Sequence, residues 1–228
     1  ADVIMVGFED CRKNYRHPDK VAVTGTPVRG EFFSCSKEQA KERLGMDDGK
    51  PLVVSFWGSQ GARDMNLMTE DFVQRWVEEG RPFHYIHSGG RDYETMAQHL
   101  KERGVSVTDQ EVRPYIDNMP TVMAAADLVI CRAGASTLGE LTAMGKPAVL
   151  VPSPYVAANH QFKNAKVLAD RGAAELLEEK NCSGQSLYDT AVSLLANADK
   201  RRAMSRAMKE LATPRAAEDI YKALMELL

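Results

Sequence analysis

A chain of 228 residues with 44% hydrophobic side chains can bury one large core, and a formal charge of -3 from 29 basic and 32 acidic groups argues against nucleic acid as a partner. The four cysteines, Cys11, Cys35, Cys131 and Cys182, lack the paired spacings of a zinc or redox motif, so reduced thiols are expected. No apolar run approaches the roughly 20 residues that span a bilayer, which limits any membrane role of these residues to a peripheral one.

The first eight residues read as a strand with no charged leader before it, an opening that suggests a chain cut from a longer protein. From Val21 onward short apolar runs alternate with helical patterns, the signature of successive β-α units on a parallel sheet. Strands are predicted at 21–25, 52–57, 83–87, 105–108, 128–131, 148–151 and 173–177. Ser36-Lys37-Glu38-Gln39 is a capping-box pattern opening a helix that stops at Gly45, and Gly80 and Gly104 close two more with the residue a left-handed C-cap favours. Helical periodicity holds from Gln185 to the end, broken at Thr213-Pro214, where a new helix is predicted to open. The expected fold class is α/β: an open, Rossmann-like, doubly wound parallel sheet with a C-terminal helical extension.

Such sheets bind ligands at the carboxyl ends of their strands, and three loops there carry unusual residues. Gly58-Ser59-Gln60-Gly61-Ala62 follows the 52–57 strand, and its glycines let backbone approach an anion, although a tight strand-to-helix turn would read the same way. Cys131-Arg132-Ala133-Gly134-Ala135-Ser136-Thr137 runs from a strand into a helix start, which points unpaired N–H groups and a positive dipole end at a diphosphate. Glu140 lies about one turn further. It is either an acceptor for vicinal ribose hydroxyls or a first-turn acid on the dipole, and both readings stand. The spacing is not the three-glycine dinucleotide fingerprint, which disfavours NAD. Beyond Val151-Pro152-Ser153-Pro154-Tyr155, the run Asn159-His160-Gln161 to Asn164 supplies neutral donors and acceptors suited to sugar hydroxyls, with capping by Asn159 as the plainer alternative. Two further turns complete the set: Gly25-Thr26-Pro27-Val28-Arg29, whose arginine could equally be in a surface ion pair, and Tyr115-Ile116-Asp117-Asn118-Met119 before a helix.

Taken in order and at their spacing, these five segments resemble the MurG family of bacterial glycosyltransferases, and the resemblance covers nearly the whole chain. It implies the C-terminal, donor-binding half of a B-type enzyme that transfers N-acetylglucosamine from UDP-N-acetylglucosamine to undecaprenyl-diphospho-muramoyl-pentapeptide with inversion, in peptidoglycan synthesis. It further implies no cofactor and no metal, in keeping with the lack of an Asp-x-Asp motif, and a peripheral position on the cytoplasmic face of the bacterial membrane. Residue by residue, Ile116 would offer backbone contacts to uracil and Glu140 would hold the ribose. Ser59, Gly134, Ala135, Ser136 and Thr137 would lie near the diphosphate, Arg29 and Arg132 at the site edge, and Gln161, with His160, Asn159 and Asn164, toward the sugar. Residues 1–24 would be the last strand and connector of an acceptor domain, 25–212 the UDP-sugar-binding domain, and 213–228 a terminal helix. The lipid-linked acceptor and the catalytic base would belong to the acceptor domain, so the isolated chain is expected to be inactive in transfer. Two residues depart from the family pattern, Trp57 for a glycine and Thr26 for an asparagine. The alternatives are a related glycolipid transferase, a UDP-N-acetylglucosamine epimerase and a non-catalytic UDP-sugar-binding subunit.

Overall fold

The computed structural model describes residues 1–227. Six parallel strands form the central sheet: β3 (Leu52–Phe56), β4 (His84–Ser88), β5 (Val112–Arg113), β6 (Leu128–Cys131), β7 (Ala148–Leu150) and β8 (Ala174–Leu176). Their spatial order is β5-β4-β3-β6-β7-β8. Chain order therefore runs outward from β3 in one direction and then from β6 in the other, so the topological switch point, where a ligand crevice opens, lies between β3 and β6. A separate pair, β1 (Ile4–Val6) and β2 (Val21–Val23), is also parallel and carries the first residues.

Strand alternation sorts the core onto the two faces of the sheet. From β3, Leu52, Val54 and Phe56 join the cluster packed by α1 (Lys37–Leu44), α4 (Met119–Ala125), α5 (Ala135–Met144) and α6 (His160–Asp170). Val53 and the following Trp57 join the cluster packed by α2 (Arg63–Glu78), α3 (Tyr93–Glu102) and α7 (Gly184–Ala196). Helix α8 (Ala198–Glu210) closes both faces, with Met204 in one cluster and Met208 in the other. With both faces covered, the strands are apolar almost throughout, as buried parallel strands must be.

The capping box at Ser36 is formed: Gln39 N–H donates to Ser36 Oγ, Ser36 N–H donates to Gln39 Oε1, and Gly45 ends α1 in the left-handed conformation. Gly80 and Gly104 follow their helices with φ of 77° and 73°. The strand predicted at 105–108 does not form. Gly104 N–H donates to Lys101 O and Val105 N–H to Leu100 O, so Val105 is the apolar residue that closes a Schellman motif on α3. The edge strand falls later, at β5. The terminal helical region is three helices, because Asn197 caps α8 through Lys200 N–H, and after the break at Thr213-Pro214 α9 begins at Ala216 and ends at Met225. No described helix is long and apolar enough to cross a membrane.

Candidate nucleotide-sugar site

At the switch point, the loop leaving β3 and the loop leaving β6 face the same crevice. Gly58 and Gly61 take φ of 88° and 77°, a region where a side chain is strained, and Gly61 N–H closes the turn onto Gly58 O at 3.2 Å. Ser59 at its tip is exposed.

Gly134 is the N-cap of α5 and offers no capping side chain, so the amides of Ala135, Ser136 and Thr137 at the helix start are left for solvent or a ligand. The first backbone bond of the helix is Leu138 N–H to Gly134 O. Glu140 is the sixth residue of α5, a full turn past the start, and no acid stands in the first turn. The dipole reading of Glu140 is therefore displaced. The carboxyl is half-buried and held above the usual carboxylate range by desolvation, which the charge of Arg29 partly offsets. Among the described residues it accepts no hydrogen bond, and burial without a partner is costly for a carboxylate.

Arg29 is exposed, ion-paired with Glu31 at 3.3 Å and laid over Phe32, yet near enough to Glu140 to act on it. The turn that carries it rests on α5 at Gly139, where a Cβ would stand 3.1 Å from Thr26 Cβ. Ile116 buries its side chain in the core while, among the described residues, neither its N–H nor its C=O takes a backbone partner.

Arg132 stands in the wall of the cleft and is held from the core side. The residue is 91% buried, its guanidinium donating to Glu179 Oε2 at 2.6 Å and to Val151 O at 3.1 Å, with the Trp57 ring 5.9 Å away. Trp57 in turn donates from Nε1 to Thr69 Oγ1 at 3.0 Å. A glycine could form no such floor, so the departure at Trp57 fills space beneath the loops. Above that floor a cleft of about 350 Å³ is bounded by Arg63, Arg132, Ser153, Gln161 and Glu179.

Helix α6 brings Gln161 and Asn164 to one side but to different neighbours. Ser153 N–H donates to Gln161 Oε1 at 2.9 Å, leaving the amide NH2 toward the cleft, whereas Asn164 reaches Ala133 O at 3.5 Å. His160 is exposed at the first position of α6, with Nδ1 3.0 Å from Ala157 O. Asn159 occupies the cap position with φ of 51° and no side-chain cap bond, so the capping alternative does not hold for its side chain. Glu179, Asn66 and the pair Gly89-Gly90 are missed by sequence reasoning. The glycine pair after a predicted strand was the available signal, while the partner of Arg132 lies 47 residues away and leaves no local trace.

Comparison with known proteins shows the family and the fold. Residues 52–220 match the model of the glycosyltransferase family 28 C-terminal domain. The chain is 37% identical over its full length to a UDP-N-acetylglucosamine--N-acetylmuramyl-(pentapeptide) pyrophosphoryl-undecaprenol N-acetylglucosamine transferase of Acetivibrio thermocellus, of which it spans 61%. A crystal structure of Acinetobacter baumannii MurG superposes with a TM-score of 0.75 at 25% identity, over 99% of this chain and 61% of that one. A UDP-GlcNAc 2-epimerase from Neisseria meningitidis, bound to UDP-GlcNAc, shares the fold at a TM-score of 0.66 and 13% identity, over 99% of this chain and 61% of that one. The chain thus spans about three fifths of the curated relatives it matches, and with most of its length under the family's own domain model it belongs to the glycosyltransferase family 28 C-terminal domain family.

Proposed function

We propose that this chain binds UDP-N-acetylglucosamine at the β3/β6 switch point, as the donor half of an inverting transferase that adds N-acetylglucosamine to undecaprenyl-diphospho-muramoyl-pentapeptide. The observation that carries the reading is Glu140, a half-buried carboxylate without a protein partner, one turn beyond an open helix start. That is the distance relation of a ribose to its diphosphate: two hydroxyls donate to the carboxylate while the phosphates meet the amides of Ala135, Ser136 and Thr137. The free peptide groups of Ile116 fit a uracil edge, and the Gln161 amide above the cleft fits the hexosamine.

Catalysis at this half is leaving-group stabilisation. As the acceptor hydroxyl attacks the anomeric carbon, charge grows on the β-phosphate, and backbone N–H groups with the α5 dipole already face it, so no divalent cation is required. The names of the relatives support the sugar and the acceptor. The acceptor site, the base and the peripheral contact with the cytoplasmic face of the membrane are assigned to the full-length enzyme.

Titration calorimetry in EDTA tests the donor reading. UDP and UDP-N-acetylglucosamine are expected to bind and ADP to bind far more weakly. Affinity that vanishes in EDTA and returns with magnesium would contradict the metal-free site, and equal binding of ADP would remove Ile116 from base recognition.

A further inference from the structure

The segment Ser88-Gly89-Gly90, which leaves β4, adjoins both halves of the proposed site and carries none of the residues assigned to it. On the base side Gly89 N–H donates to Arg113 O at 2.9 Å and Gly90 N–H to Pro114 O at 3.0 Å, which ties the segment to the loop of Ile116. On the phosphate side Arg91 N–H donates to Gln60 O at 3.0 Å. The backbones meet there so closely that a Cβ on Gly61 would lie 2.5 Å from Gly89 O, and one on Gly90 2.5 Å from Gly61 N.

A buried row of side chains fixes this segment. Asn66 Nδ2 donates to Gly89 O at 2.7 Å, and Asn66 Oδ1 lies 3.4 Å from His87 Nε2. His87 Nδ1 is 2.7 Å from Ser55 Oγ, which is 2.5 Å from the Tyr85 hydroxyl. Burial pushes the His87 pKa down to about 3, so the ring is neutral and carries one proton. The row runs from the Tyr85 hydroxyl through Ser55 Oγ and the His87 ring to the Asn66 amide, and its last bond donates to Gly89 O. Apolar side chains of similar shape could fill the same volume at little cost in stability, so what the row adds is the position of one carbonyl.

We propose that Asn66, oriented by Tyr85, Ser55 and His87, is a positioning residue that sets Gly89-Gly90 and through it couples the base-side loop at Ile116 to the diphosphate-side loop at residues 58–62. The ligand half of this inference rests on the UDP reading; the coupling of the two loops does not. The test compares the 228-residue chain with Asn66→Ala and with the near-isosteric Asn66→Leu, which has no group to donate to Gly89 O, in two measurements. Amide hydrogen exchange without ligand is expected to quicken at Arg91, whose bond to Gln60 depends on the segment. Calorimetry is expected to show the ratio of UDP to uridine affinity falling about tenfold, the effect of one misplaced set of charge-assisted bonds, with uridine affinity nearly unchanged. Unchanged exchange at Arg91 in a folded variant, or uridine and UDP weakened in equal proportion, overturns the proposal. If Asn66→Ala does not fold, Asn66→Leu, which leaves no cavity, decides by the same criteria. If the unmodified chain binds neither nucleotide, the UDP reading fails and exchange at Arg91 alone decides the coupling.

Discussion

Desolvation of the half-buried Glu140 disfavours its charged form in the ligand-free fold. Its pKa is raised in the folded state, so the penalty is absent below the unfolded pKa and fully present above the folded one, neutral pH included. Glu140→Gln is therefore expected to raise the Tm of the ligand-free chain at neutral pH. It should also weaken UDP by about 1.5–3 kcal/mol, the worth of hydrogen bonds to a charged group, and weaken 2′,3′-dideoxy-UDP far less. Equal losses for both ligands would remove the ribose from Glu140. The same raised pKa gives a pH profile: binding needs the carboxylate, so UDP affinity is expected to fall on acidification at a higher pH than an ordinary glutamate would dictate, and Glu140→Gln should flatten that limb. Gln161 carries two duties on its one amide. Gln161→Ala is expected to lower UDP-N-acetylglucosamine affinity to that of UDP while UDP itself is spared, and a matching loss for both would mean that holding Ser153 is all that Gln161 does. From the sequence alone Glu140 was an even choice between dipole and ribose, because the choice turns on where the helix begins, and one turn of difference is within the uncertainty of any such boundary.

At the scale of elements, glycines record what backbone must do, and they separate into two kinds. Gly58 has a left-handed φ but nothing within 4 Å of a built Cβ, whereas Gly61 has the same conformation and a carbonyl in the way. Gly58→Ala should thus cost only backbone strain, about 1–2 kcal/mol, and Gly61→Ala clearly more, since Gly89 O belongs to a segment bonded on both sides. Urea unfolding of the two variants measures the difference, and equal costs would mean that the two loops do not press on each other. The glycine loop and the α5 start were legible because strand, glycine and helix follow one another locally. The false strand at 105–108 was not avoidable on pattern: Val105 and Val107 alternate like a strand, but the first serves the end of α3. Arg132 reads as a site residue for the same local reason, beside a glycine after a strand, while its pairing with Glu179 in the cleft wall exists only in the tertiary structure.

For the molecule as a whole, the parallel strands β5-β4-β3-β6-β7-β8 gather the proposed donor-binding loops at their carboxyl ends, and among the described residues no histidine stands free there. The five histidines are each otherwise placed. His87 is buried and neutral, His84 meets Asp48 at 2.8 Å, His99 meets Glu70 at 3.0 Å, His17 is exposed beside β2, and His160 is held to Ala157 O. Since the chain spans only about three fifths of its relatives, the site that holds the acceptor and the base that takes its proton are expected from residues outside these 228. Without a held acceptor the reaction forgoes the orientation that makes a bimolecular attack effectively intramolecular, worth roughly 7–11 kcal/mol in favourable systems. The purified 228-residue chain is therefore expected to bind donor but not to transfer sugar to a lipid-linked acceptor in detergent, while slow hydrolysis to UDP and free sugar persists because water needs no acceptor site. A radiolabelled transfer assay run beside a donor titration on one preparation checks both halves of this expectation. Rapid transfer by the chain alone would place an acceptor site and a base on these residues, and Asp64 and Glu179, the carboxylates that line the proposed sugar cleft, would then be the first groups to substitute.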